Sequence, residues 1–207
     1  MDELLEKSEA LSSEFSRIFD YGPVDDSRRI TSSWVMCLVA LEHSGSTRQL
    51  AMCGHYTSAI CIIRSQFEAL TRAMWLLYSA SDSKIENTMK TLSELSQNAD
   101  QKPNNSEMIK ALSGKAPEQA VLMLTEFRDL QWKALNSYVH GGVHALQRHG
   151  AGYPEELIKD IIKSSNGLLS MTAMLAAILT GNEVVAKDVS SIQRRHEDCL
   201  PLLLVKA

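Results

Sequence analysis

The sequence has no surplus of positive charge: 21 Lys and Arg stand against 25 Asp and Glu, for a formal net charge of -4 and a pI near 5.9. A global attraction to nucleic acid is thereby excluded, and any RNA contact has to be local. Cysteine is scarce. Cys37, Cys53, Cys61 and Cys199 form no CxxC pair and sit mostly inside apolar helical patterns, so they read as reduced core thiols rather than a zinc site or disulfide framework. No Gly-rich phosphate loop, GxSxG or HExxH is present, which leaves nucleoside triphosphate hydrolysis and hydride transfer without support and implies no cofactor. The longest apolar stretch, Leu168 to Leu179, is interrupted by Ser170 and Thr172 and falls short of the roughly 20 residues that cross a bilayer. No membrane span is expected. The opening MDELLEKSEALSSEF is acidic and amphipathic, unlike a secretory signal, and a cytoplasmic protein is expected.

What is present is helical patterning throughout, with no strand pattern of comparable quality. A chain of 207 residues that is 44% hydrophobic and 22% charged can bury one substantial core. Leu4, Leu5, Leu11, Phe15, Ile18 and Phe19 mark a first helix over 3–19, stopped by Tyr21-Gly22-Pro23. Asp25 or Asp26 can cap a second, carrying Ile30, Trp34, Val35, Leu38, Val39 and Leu41 and running through Ser44-Gly45-Ser46 to about Cys53. From His55 to Ala80 the apolar residues Ile63, Phe67, Leu70, Met74 and Leu77 form one stripe of a core helix. A more exposed helix follows over 82–98, then a loop over 98–117 that contains a short helix at 106–112 and is the expected mobile region. Pro117 opens a helix to Val139, which Gly141-Gly142 ends. Pro154 opens the last long helix, to residue 180, and Gly181-Asn182 terminates it. The expectation is an all-α, single-domain bundle of six to seven helices: an N-terminal helix over 1–24, a core over 25–181 and a C-terminal tail over 182–207.

Two polar groupings stand out. In R64-S-Q-F-E68-A-L-T-R72, Arg64, Glu68 and Arg72 recur at i, i+4 and i+8 beside the core stripe. They form either a salt-bridge ladder or an arginine oriented by Glu68 toward an anionic ligand, since the guanidinium fork suits phosphate and carboxylate. In D129-L-Q-W-K133-A-L-N136-S-Y-V-H140-G-G-V-H144, Asp129, Lys133, Asn136 and His140 share one helical face. His140 can act as general acid or base, Lys133 or Arg64 can stabilise a phosphorane, and Asn136 can orient the imidazole or a ligand. The alternative is a helix-terminal histidine bonded to a neighbouring helix, with Lys133 paired to Asp129. His140 and His144 lack a third ligand, so no metal is expected. Arg194-Arg195-His196 reads as a solvated basic face, and Trp34, Trp75 and Trp132 as packing residues.

The combination of R64-x-x-x-E68 on a core helix with N136-S-Y-V-H140-G-G on a later one resembles a group of bacterial helical proteins that look related to the HEPN superfamily, the higher-eukaryote and prokaryote nucleotide-binding domains. The resemblance covers roughly residues 30 to 180. It implies a homodimeric, HEPN-like helical bundle that cuts RNA without metal, in bacterial antiphage defence or a toxin-antitoxin system. His140 matches the motif histidine and Asn136 a polar position within it. The motif arginine has no counterpart at its expected place: the nearest basic residue is Lys133, and Arg64 is the candidate to supply the guanidinium from the neighbouring helix. The competing expectation is a catalytically silent bundle that binds a protein partner or small anion, with Arg64, Glu68 and His140 as a structural network.

Overall fold

The computed structural model describes residues 1–88 and 103–202. The described residues form nine α-helices and no strand: α1 (Asp2–Ser16), α2 (Arg28–Met52), α3 (Tyr56–Tyr78), α4 (Asp82–Thr88), α5 (Asn105–Leu112), α6 (Glu118–Val139), α7 (Val143–Ala151), α8 (Glu155–Leu179) and α9 (Glu183–Arg195). Short 3-10 turns follow α1 at Arg17–Tyr21 and α9 at Glu197–Cys199.

The antiparallel pair α2 and α3 forms the centre, and α8 packs against both. Because α2, α5, α6 and α8 all lie on α3, its residues Ala69, Leu70, Thr71, Ala73, Met74, Trp75 and Leu76 are buried nearly all round, wider than the single stripe its periodicity predicts. Phe15, Phe67, Leu70, Leu112, Leu124 and Leu169 are among the fully buried side chains of the main core. α8 is long and apolar enough by composition to resemble a membrane span, but 67% of that window is buried inside the bundle. Its apolar surface is used up in helix packing.

Polar groups knit the interior. Gln66 and Ser165 exchange two buried hydrogen bonds, Gln66 Nε2 donating to the Ser165 carbonyl at 3.0 Å and Ser165 Oγ to Gln66 Oε1 at 2.7 Å. Asn166 Nδ2 donates to Ser8 Oγ and to the Cys199 carbonyl, tying α8 to α1 and to the chain after α9. Arg29 of α2 donates to the carbonyls of Leu76 and Ala80 and to Asp82, closing the turn between α3 and α4.

Several expectations are corrected. The bundle has more helices than six or seven, because Gly141-Gly142 is followed by α7 and residues 183–195 form a docked helix rather than a tail, with Val185, Val189 and Ile192 buried. Asn182 caps α9 by accepting from the Val184 N–H. The expected solvated cluster Arg194-Arg195-His196 is in part a clamp: Arg195 and His196 both engage Glu14 of α1, His196 Nε2 at 2.8 Å. Cys53 is exposed rather than a core thiol, Cys61 is half-buried, and Cys37 and Cys199 are buried. The short helix at 105–112 forms as expected, with a capping box between Asn104 and Glu107. The remainder of the helix expected over 82–98 and the first part of the expected mobile loop lie outside the described residues.

Candidate functional site

On α3 the half-buried residues Thr57, Cys61, Arg64, Glu68 and Arg72 recur at helical spacing along one edge. α6 lies beside this edge, held by aromatic packing: Phe127 stacks on Phe67 at 4.6 Å between centroids, and Trp132 meets Phe67 edge-on at 6.1 Å. These contacts fix where the C-terminal end of α6 delivers its polar residues.

Arg64 is the centre of the arrangement. Its Nε donates to Glu68 Oε1 at 3.0 Å, its guanidinium carbon sits 4.9 Å over the Trp132 ring, and its Nη1 lies 3.4 Å from His140 Nε2. The Arg64 side chain is 21% exposed and that of Glu68 39%, while His140 lies at the surface. A guanidinium has donors only, so Nε2 must accept in this contact. A hydrogen bond at this contact uses the tautomer with its proton on Nδ1, which keeps a lone pair on Nε2.

Local sequence explains why His140 stands there. α6 ends at Val139, and the N–H of His140 bonds back to the Asn136 carbonyl at 3.0 Å. Gly141 then adopts φ +64°, a left-handed conformation that a Cβ would strain. Gly142 passes so close to Ser137 that a Cβ would sit 2.7 Å from Oγ. The same Ser137 Oγ accepts the N–H of His144 at 3.1 Å, which starts α7 immediately after the turn. His140 is thus held at a tight α6–α7 corner.

The other expected site residues divide. Arg72 makes no ion pair among the described residues, so Arg64–Glu68 is a pair rather than a three-membered ladder. Asp129 is taken by Arg128, with Arg128 Nε at 2.9 Å, and not by Lys133, which is exposed without an ion-pair partner among the described residues. Asn136 does not bond the His140 ring; its Oδ1 is buried and has no hydrogen-bond partner among the described residues. The His144 ring faces Tyr138 with centroids 6.2 Å apart, and no group of three His, Cys, Asp or Glu gathers among the described residues.

Along the same edge of α3 lies a group that the sequence reading missed. Thr57 Oγ1 bonds Tyr153 OH at 2.7 Å and His149 Nδ1 at 3.3 Å, and Tyr153 packs on Tyr56 with centroids 5.4 Å apart. Tyr138 is buried and has Tyr153, Arg148 and Cys61 among its electrostatic neighbours. Burial raises its phenol above the ordinary range and Tyr153 adds to that, while the charge of Arg148 opposes it. The signal for this region was a missing residue type: α3 carries no carboxylate before Glu68, and none occurs between Asp129 and Glu155, although the chain is acidic overall. The two acid-free stretches fold against one another and carry Arg64, His140, His144, Arg148 and His149.

Fold and site define an all-helical bundle with a surface Arg–His pair on the edge of its core helix. The chain belongs to DUF6988, a family of unknown function, whose profile matches residues 37–202, from within α2 to beyond α9. That span holds every residue of the site. No curated protein and no solved structure matches the chain.

Proposed function

We propose that this chain is a HEPN-like, metal-independent endoribonuclease whose reacting centre is the Arg64–His140 pair. The observation that carries the reading is the 3.4 Å approach of Arg64 Nη1 to His140 Nε2, at the surface and between residues 76 apart in the chain. In the proposed reaction a phosphodiester oxygen takes the Arg64 N–H groups in place of His140. The freed Nε2 lone pair accepts the proton of the 2′-hydroxyl as O2′ bonds to phosphorus, and the P–O5′ bond breaks. The imidazolium returns that proton to the departing O5′. Arg64 offsets the charge on the non-bridging oxygens, with Lys133 as a second cation at the surface. The products are a 2′,3′-cyclic phosphate and a 5′-hydroxyl.

Glu68 and Trp132 position Arg64 through contacts separate from the one to His140: Glu68 on Nε and Trp132 against the guanidinium plane. The reading includes a role in defence or a toxin-antitoxin system, a cytoplasmic setting, which four free thiols favour, and a homodimer, which Val139, Val143 and Leu146, all exposed, would help to join. One observation favours the rival, a silent binding bundle: the Arg64 guanidinium already has Glu68 on Nε and Trp132 beneath it, as a structural network would. The experiment is end-group analysis. An oligoribonucleotide incubated in chelator should yield 2′,3′-cyclic phosphate ends, and a strand with 2′-deoxy residues should remain whole. Intact RNA, or cleavage of both strands alike, supports the rival.

A further inference from the structure

We infer that Thr57, Arg148, His149 and Tyr153 form a second anion subsite, so that the face binds a single-stranded RNA segment through two phosphates rather than one nucleotide through one. The inference rests on the reading of Arg64–His140 as a phosphodiester site.

Three observations carry it. First, His149 is held by its Nδ1 on Thr57 at 3.3 Å, and Thr57 is held by Tyr153 at 2.7 Å, which leaves Nε2 of an exposed imidazole without a partner among the described residues. Arg148 is adjacent in sequence, exposed and without an ion pair among the described residues. Second, Thr57 and Arg64 are seven residues apart on α3, about 10 Å at ~1.5 Å per residue. A stacked strand crosses that distance in about three steps of ~3.4 Å each. Third, neither residues 57–67 nor residues 130–154 contain a carboxylate, and the half-buried rings of Trp132, Tyr56 and Tyr153 lie beside the two groups. A basic track with rings beside it is the arrangement that takes a backbone and its bases together. The Thr57–Tyr153 pair costs the ligand nothing to organise, since it is already bonded.

The test uses the full chain and a fluorescein-labelled eight-nucleotide deoxy strand, which binds but lacks the 2′-hydroxyl needed for cleavage. Anisotropy should report at least tenfold weaker binding for Arg148→Ala/His149→Ala than for the parent, and a smaller slope of log affinity against log salt. Tyr153→Phe, which removes one hydroxyl, should weaken binding less and melt within a few degrees of the parent. An eight-nucleotide RNA at limiting concentration should be cut more slowly by Arg148→Ala/His149→Ala than by the parent. Unchanged anisotropy and salt slope in the double variant overturns the inference and leaves the reacting centre standing. Binding lost in the variant, with no RNA cut by either protein, keeps this subsite and removes the ribonuclease reading. Equal capture of a polyglutamate peptide of matched charge overturns the inference in favour of an acidic protein.

Discussion

The Arg64 guanidinium carbon lies 4.9 Å above the Trp132 ring, so a side chain of α6 supports the arginine of α3 from below while Glu68 holds it from the side. His140 meets an arginine whose direction is already set by two other groups. Trp132→Leu keeps an apolar side chain near Phe67 but removes the platform, a loss of about 0.5–1 kcal/mol for a partly exposed cation–π contact, to which the lost ring contact with Phe67 adds. The melting temperature should fall by a few degrees, since 1 kcal/mol shifts a domain of this size by about 2–4 °C. Lys133→Ala, one residue away and exposed, should melt as the parent does. Equal melting of all three proteins contradicts the assignment of Trp132 as a support.

Ser165 and Gln66 share two hydrogen bonds inside the bundle. Ser165→Ala leaves Gln66 Oε1 without its donor in a buried position, at a cost of about 2 kcal/mol. Calorimetry should show a melting temperature lower by about 4–8 °C. A shift under one degree means that the amide finds another donor.

Acid should loosen the contact between α1 and the C-terminal end of α9. The bond from His196, then that from Arg195, holds the Glu14 carboxyl below its ordinary range, and Lys7 does the same for Asp198. A carboxyl with a folded pKa below its unfolded one stabilises the fold above the unfolded value, ~4.3 for Glu and ~3.9 for Asp, and that stability is lost as pH falls through the folded value. Melting temperature should therefore decline from about pH 5 toward pH 3, with a shallower decline in Glu14→Gln. Matching acid slopes in the two proteins contradict the assignment.

Much of the fold was legible because apolar spacing and helix punctuation agreed. Pro117 and Pro154 stand just before α6 and α8, Gly181 terminates α8 at φ +67°, and the short helix expected at 106–112 forms behind a cap built by Asn104 and Glu107. α7 was hidden because its inward contribution is little more than Ala145, and Val143 and Leu146 point to solvent. α9 was hidden because its polar composition outweighs three buried residues, Val185, Val189 and Ile192. At the site, helical spacing was enough to single out Arg64, Glu68 and His140, but periodicity within one helix says nothing about contact between helices. The pairing of Asp129 with its neighbour Arg128 rather than Lys133 is a matter of rotamer and packing. The Thr57–His149–Tyr153 group joins residues about ninety positions apart, which spacing alone does not reveal.

The four thiols should react in an order set by exposure. Cys53 is exposed at the end of α2, whereas burial pushes Cys61 up, Cys199 to about 11, and Cys37 well above the ordinary thiol range. Brief iodoacetamide treatment of the native protein, read by peptide mass spectrometry, should label Cys53 first and leave Cys37 and Cys199 unmodified. Early labelling of Cys37 contradicts the packing between α2 and α3.

The central claim is that His140 takes part in chemistry at the phosphodiester rather than in holding the fold. Its most direct test compares the parent chain with His140→Ala on mixed cellular RNA in excess chelator, with melting curves of both proteins. His140 lies at the surface of a glycine-bounded corner, so equal melting temperatures are expected, with cleavage by the variant lower by about 10²–10⁴-fold, the usual contribution of a general acid–base group. Equal cleavage by both proteins, or intact RNA with the parent and a lower melting temperature for the variant, contradicts the account.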